Sequence, residues 1–114
     1  MVIFPRFSAL PALLLLLTGC AGLDQDPTKD WAAERFYIEA KTALKEGNYT
    51  TAIKHFESLE ARYPYGPYAE QAQLEVAYAY YKDGEMASAI AAANRFIRLH
   101  PTHAHVDYAY YLKG

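Results

Sequence analysis

The sequence predicts an all-α fold, arranged as a solenoid of helical hairpins. Two observations support this prediction: apolar residues recur at helical spacing between glycine and proline stops, and those stops repeat at a fixed interval. No segment shows the regular alternation that is typical of a half-buried strand. The chain has 114 residues, of which 53% are hydrophobic, which is enough for one modest core. A formal charge of -2 argues against a nucleic-acid partner.

The first hairpin contains two predicted helices. Asp30 is placed to cap the first one, which ends at Gly47, a residue that tolerates the positive φ of a helix C-terminus. The second helix ends before Pro64, because proline disfavours helical backbone in the residue that precedes it. The two apolar stripes are Phe36, Ala40, Ala43 and Leu44, then Tyr49, Ala52, Ile53, Phe56 and Leu59.

The second hairpin follows the same plan. Its first helix begins near Pro67, a residue suited to a first helical turn, and ends at Gly84. Its second helix stops before Pro101. The two apolar stripes are Leu74, Ala77, Tyr78 and Tyr81, then Met86, Ala89, Ile90, Ala93, Phe96 and Ile97.

A 37-residue period relates the two hairpins. It separates Gly47 from Gly84, Ala52 from Ala89, Ile53 from Ile90 and Pro64 from Pro101. The pattern resembles the tetratricopeptide repeat, whose usual unit is about 34 residues. Ala40 and Ala77 match its small first-helix position, whereas Gln73 stands where the first unit has the aromatic Phe36. We expect two full repeats and the start of a third from Asp107, giving a repeat domain over residues 30–114 that is truncated in the third repeat.

The N-terminus is typical of a lipoprotein signal peptide. Arg6 precedes an apolar run that is too short to span a bilayer, and the run ends at Leu17-Thr18-Gly19-Cys20, which resembles the bacterial lipobox. We therefore expect residues 1–19 to be removed, Cys20 to carry covalent lipid, and residues 20–29 to form a lipidated tether. The alternative is a free cysteine buried in a core helix.

The chain from Cys20 to Gly114 resembles the BamD family of outer membrane assembly lipoproteins. The stretches that carry the resemblance are "RYPYGPY", "YAYYKDG", "RFIRLHPTH" and "DYAYYLKG". The resemblance implies a non-catalytic, lipid-anchored scaffold on the periplasmic face of the outer membrane, without a cofactor other than the lipid. It also implies three kinds of partner: the insertase BamA, other barrel-assembly lipoproteins and unfolded barrel precursors. The alternative is the helical, substrate-positioning part of a larger periplasmic cell-wall-cleaving lipoprotein.

The first helices of such repeats line a concave groove, which we expect to be aromatic and basic and to bind the C-terminal segment of a barrel precursor. Each tyrosine also fits an inter-hairpin core, and the lysines also fit a solvated helix face. The candidate groove residues are Tyr37, Lys41, Lys45, Tyr78, Tyr81, Lys82, Tyr108 and Tyr111.

Two further segments carry open interpretations. The family linker either positions a partner or sets a rigid inter-repeat turn, and we favour the turn; it comprises Arg62, Tyr63, Pro64, Tyr65, Gly66, Pro67 and Tyr68. His100, His103 and His105 lack a nearby cysteine, so we expect turn histidines and no metal site. No arrangement of a nucleophile with a base predicts an enzyme.

Overall fold

The computed structural model describes residues 26–114, and all five of the regular elements in this part of the chain are helices. They are α1 (Ala33–Lys45), α2 (Tyr49–Arg62), α3 (Pro67–Lys82), α4 (Met86–Leu99) and α5 (Val106–Lys113). The all-α prediction is therefore confirmed. Within residues 26–114, none of the helices has the length and apolarity needed to cross a membrane. The predicted signal peptide, Cys20 and the first part of the tether lie outside the described residues.

The described residues belong to two units, residues 26–30 and Trp31–Gly114. In the short first unit, the Asp26 carboxylate accepts hydrogen bonds from the amide and the hydroxyl of Thr28, at 2.9 and 2.6 Å. These bonds form a local turn of the kind that aspartate favours. All five helices belong to the second unit.

Helix α1 begins later than the sequence predicted, and Asp30 is not its cap. Ala32 holds the cap position with extended backbone, and its carbonyl accepts the first helical bonds from Arg35 and Phe36. Trp31 lies between Asp30 and Ala32, and its carbonyl accepts a hydrogen bond from the Tyr63 hydroxyl at 2.7 Å. The Trp31 ring also packs on Phe36, 5.1 Å away between centroids. Because Trp31 makes both of these tertiary contacts, the helix starts after Trp31 and not at Asp30.

The turns inside the two hairpins have the same backbone. Gly47 and Gly84 adopt positive φ values of 77° and 82°, which glycine reaches without a Cβ penalty. The amide that follows each glycine reaches back five residues to a helical carbonyl, over 2.8 Å from Asn48 to Ala43 and 2.9 Å from Glu85 to Tyr80. The 37-residue sequence period is therefore also a structural period.

Helix α3 is shared by two hydrophobic clusters, which is how one hairpin is joined to the next. The first cluster lies between α1, α2 and α3, and the second between α3, α4 and α5. Seven residues of α3 are buried, six of them apolar. The first cluster consists of Phe36, Ala40, Ala43, Ala52, Ile53, Phe56, Leu59, Ala69, Ala72, Val76 and Ala79, and the second of Leu74, Ala77, Ala93, Phe96, Ala109 and Leu112.

Polar contacts join the second helices and α3 at the boundary between the hairpins. The Arg95 guanidinium of α4 forms an ion pair with the Glu60 carboxylate of α2 at 2.7 Å. The Tyr80 hydroxyl of α3 donates a hydrogen bond to Glu57 of α2. Burial raises the pKa of Glu60, and the charge of Arg95 opposes that shift. These contacts fix the orientation of the second hairpin on the first.

Candidate peptide-binding groove

An open cavity of about 450 Å³ runs across the first helices of the repeats. It brings together three of the predicted groove residues, Lys41 from α1, Tyr78 from α3 and Tyr108 from α5. A volume of this size is within the range of about 300–1,000 Å³ that is usual for ligand pockets. The full lining is Lys41, Leu44, Gln71, Leu74, Glu75, Tyr78, His105, Asp107 and Tyr108.

An ion pair lies at the α1–α3 side of the cavity. The Lys41 ammonium is 2.5 Å from Oε1 of Glu75, and the Glu75 side chain is 13% exposed. The second carboxylate oxygen of Glu75 is buried and has no hydrogen-bond partner among the described residues. Burial, followed by the nearby Glu75 charge, raises the pKa of Tyr37 to about 12. The Tyr37 hydroxyl therefore stays protonated beside this carboxylate.

Tyr37 belongs to the hydrophobic packing between the hairpins. Its ring lies 5.5 Å from Tyr68 and 6.3 Å from Phe56, between centroids, and it packs against the first cluster. It is absent from the cavity lining. The core interpretation therefore describes Tyr37 better than the groove interpretation.

The remaining predicted groove residues lie outside the cavity lining. Lys45 and Lys82 are exposed in the last turns of α1 and α3, and Tyr81 is exposed beside Lys82. Tyr111 is 77% exposed, and its ring stacks on Tyr108 with the centroids 6.2 Å apart. Tyr111 thus extends the aromatic surface of α5 beyond the cavity.

The lining of this cavity is not basic, in contrast to the expectation for the groove. Of the three predicted lysines only Lys41 lines the cavity, and its charge is matched by Glu75. Asp107 adds a second carboxylate to the lining. Lys45 lies one helical turn after Lys41 on α1, and Lys82 lies one turn after Tyr78 on α3, so both lysines are on the same helix faces as these lining residues but at the exposed helix ends, outside the cavity lining.

Sequence reasoning missed the two acidic residues of the groove. Glu75 lies three residues before Tyr78 in α3, a spacing that places both side chains on one helix face. Asp107 directly precedes Tyr108 in the first turn of α5. The helical spacing of Glu75 was a usable signal, whereas the approach of Glu75 to Lys41 depends on how α1 packs on α3.

The family linker forms a rigid turn that returns to the start of the first repeat. Gly66 has a φ of 106°, and Pro67 is the first residue of α3, as the sequence predicted. The Arg62 guanidinium lies over the Phe36 ring, 5.1 Å from its centroid. Tyr65, in contrast, is 91% exposed. These contacts agree with the structural interpretation of the linker and leave Tyr65 as its most accessible side chain.

The three histidines lie in and around the turn between α4 and α5. The His100 ring nitrogen Nε2 is 2.6 Å from the Gln73 carbonyl oxygen Oε1, which pairs the buried amide of α3. His103 lies 3.7 Å from the Glu70 carboxylate and packs edge-on against Phe96, while His105 lines the cavity. The described residues contain no group of three or more potential metal ligands.

Helical hairpins that stack through a shared helix, with a groove along their first helices, define a tetratricopeptide-like repeat protein. The chain belongs to the YfiO family of outer membrane lipoproteins, whose family model matches residues 29–114.

Three curated relatives, each named outer membrane protein assembly factor BamD, are similar to this chain. The protein of Neisseria meningitidis serogroup B (strain MC58) is 49% identical over 90% of this chain and 40% of its own length. That of Neisseria gonorrhoeae is 51% identical over 84% of this chain and 36% of its own length. That of Vibrio cholerae is 43% identical over 97% of this chain and 45% of its own length. The chain thus spans less than half the length of these relatives.

Proposed function

We propose that this chain is part of a non-catalytic, lipid-anchored scaffold that receives unfolded outer-membrane β-barrel precursors and supports their insertion by BamA. Membership of the outer membrane lipoprotein family supports this proposal, as does the assembly-factor name of the relatives. The same names do not favour the alternative of a cell-wall-cleaving lipoprotein. Other barrel-assembly lipoproteins are its further partners in this proposal.

The groove is the proposed contact site for the precursor. Its walls combine the aromatic faces of Tyr78 and Tyr108 with the apolar side chains of Leu44 and Leu74. An extended chain presents every second side chain to one side, so a segment with alternating apolar residues can place several of them against such walls. This aromatic and aliphatic lining, contributed by three successive first helices, is the observation that carries the proposal.

Anchoring through Cys20 is the second part of the proposal. Several acyl chains on one cysteine hold a domain firmly at a bilayer, because each buried methylene contributes about 0.8 kcal/mol. Such an anchor fits a protein of the outer membrane lipoprotein family at the periplasmic face. In cell fractionation, a Cys20→Ser variant should no longer be found with the outer membranes. Unchanged fractionation would argue against lipid as the anchor.

A peptide-binding measurement tests the groove directly. The probe is a fluorescent nonapeptide of alternating apolar and polar residues that ends in phenylalanine amide. Loss of a fully engaged aromatic contact should raise Kd about tenfold, so we expect that increase for Tyr108→Ala. Tyr110→Ala is the matched control, since Tyr110 lies on the same helix, is 55% exposed and does not line the cavity. Equal affinity for the two variants would remove the groove from the proposal.

A further inference from the structure

We infer that the groove selects an internal, neutral or cationic stretch of extended chain over a free C-terminal carboxylate, and that Glu75 and Asp107 determine this specificity. The inference rests on the proposed function of the groove as the site that binds extended chain. It concerns a different question, namely which part of such a chain fits the charges on the groove wall.

The first argument is that Lys41 is already paired. Its ammonium lies 2.5 Å from Oε1 of Glu75, which holds the opposite charge at the same side of the cavity. A carboxylate that approached Lys41 would be attracted by the ammonium and repelled by Glu75 at a similar distance, so the two interactions largely cancel. Displacing Glu75 instead would leave a mostly buried carboxylate without its cation, which is unfavourable.

The second argument is the uncompensated charge of Asp107. Its Oδ1 accepts a hydrogen bond from the Tyr108 amide at 2.9 Å, which orients the carboxylate at the start of α5. The side chain is exposed at the cavity wall and forms no ion pair within residues 26–114. Among Lys41, Glu75 and Asp107 of the lining, the carboxylates exceed the ammonium by one charge. A terminal carboxylate would therefore meet net repulsion.

These charges point to the interior of an extended chain as the occupant. An internal segment has no terminal charge, and its aromatic side chains can still lie against Tyr78 and Tyr108. A lysine or arginine beside the aromatic residue would meet the exposed carboxylate of Asp107. Apolar contact would supply the affinity in this arrangement, and the two acidic residues would supply the discrimination.

The experiment compares two forms of one probe on the whole chain. A nonapeptide of alternating apolar and polar residues that ends in phenylalanine is synthesised as the free acid and as the amide, and Kd is measured for both at pH 8 in low salt. We expect the amide to bind about fivefold more tightly, as for one partly screened like charge. In 1 M salt, where the Debye length is about 3 Å, the difference should disappear.

Three variants assign the effect to residues. Asp107→Asn should reduce the preference for the amide, since it removes the unpaired charge. Glu75→Gln should strengthen binding of the free acid, since it leaves the Lys41 ammonium available, and circular dichroism should show the helices intact. Glu46→Gln is the control, because Glu46 is exposed at the end of α1 and does not line the cavity.

The outcomes separate this inference from the proposed function. Preference for the amide that shrinks in salt and in Asp107→Asn supports the inference. Equal affinity for the two probes, or tighter binding of the free acid, overturns the inference and leaves the groove as a binding site. Failure of the chain to bind either probe overturns both the proposed function and the inference that rests on it.

Discussion

The two complete hairpins share one backbone plan but fill their cores differently. In both, the second helix begins two residues after a glycine of positive φ, and the residue that ends it has a φ near −130°. The first hairpin places two phenylalanines, Phe36 and Phe56, fully in its core. The 37-residue counterparts of these two are Gln73 and Ala93. The repeat is therefore maintained by turns and helix lengths, while the side chains that fill it vary.

The exchange of Phe36 for Gln73 shows how the variation is accommodated. In the first hairpin, Trp31 and His55 pack around the Phe36 ring, with centroids 5.1 and 6.3 Å away. In the second, the buried Gln73 amide is paired by His100. A buried polar group is tolerated only when it has such a partner, so the substitution requires His100 as well.

The residues that end the two second helices serve the same purpose by different chemistry. Tyr63 and His100 are 37-residue counterparts. The Tyr63 hydroxyl donates to the carbonyl of Trp31, before α1, and His100 pairs with Gln73, within α3. Each contact joins the residue that ends the second helix of a hairpin to the first half of the same hairpin. In the first hairpin the partner is Trp31, just before α1, and in the second it is Gln73 within α3. A position in the repeat can therefore keep a hydrogen bond to the first half of its hairpin while its residue type changes.

The largest expected effect tests the aromatic core of the first hairpin. Phe56→Ala should reduce the free energy of unfolding by about 3–5 kcal/mol, because it removes a fully buried ring and leaves a cavity. Urea unfolding followed by circular dichroism measures the change. Ile38→Ala, at a site that is 52% exposed, is the control and should stay within about 0.5 kcal/mol of the parent. A similar loss in both would contradict a core centred on Phe56.

A somewhat smaller effect tests the polar core of the second hairpin. Gln73→Ala should cost about 1–3 kcal/mol, because His100 then lacks its partner in a partly buried site. Tyr63→Phe, the matched change in the first hairpin, should cost about 0.5–1.5 kcal/mol through loss of one hydrogen bond. If Gln73→Ala proves neutral in urea unfolding, the pairing with His100 does not stabilise the repeat.

The shared turn geometry predicts matched losses at the two glycines. Gly47→Ala and Gly84→Ala should each cost about 1–2 kcal/mol, because an L-residue with positive φ is strained. No atom lies within 4 Å of an added Cβ at either site, so backbone strain is the only penalty. Clearly unequal losses in urea unfolding would show that the two turns are not energetically equivalent.

The smallest expected effect is on the pH dependence of stability, and it arises from one residue that differs between the two hairpins. Burial lowers the pKa of His55 below its usual value of 6.5, whereas the counterpart in the second hairpin is Ala92. The unfolded chain then binds more protons than the folded chain, so stability falls as pH drops through 6.5 towards the lowered value. His55→Gln should show a weaker decline in urea midpoint from pH 7.5 to 5.5. If the urea midpoints of the variant and the parent declined equally, a group other than His55 would cause the pH dependence.

Much of the fold could be predicted because its signals are local. Pro67 and the glycines at 47 and 84 determine where helices start and end through the backbone conformations that they favour or forbid. The prediction that Asp30 caps α1 was wrong because capping propensity is weaker than tertiary contacts. Trp31 is held by a hydrogen bond from Tyr63, which lies 32 residues away. Local signals therefore gave the helices but missed one boundary.

The sequence by itself determined the five helices and their repeat, and the resemblance to repeat proteins placed the predicted groove along the first helices. Tertiary structure alone decided the charge of that groove. Lys41 and Glu75 lie 34 residues apart on different helices, and only the packing of α1 on α3 brings their charges to 2.5 Å. Helix formation depends on neighbours within a few residues, whereas an electrostatic balance depends on every charge nearby in space. The cavity lining, which the residue types predicted to be basic, therefore contains the two carboxylates of Glu75 and Asp107 beside a single lysine.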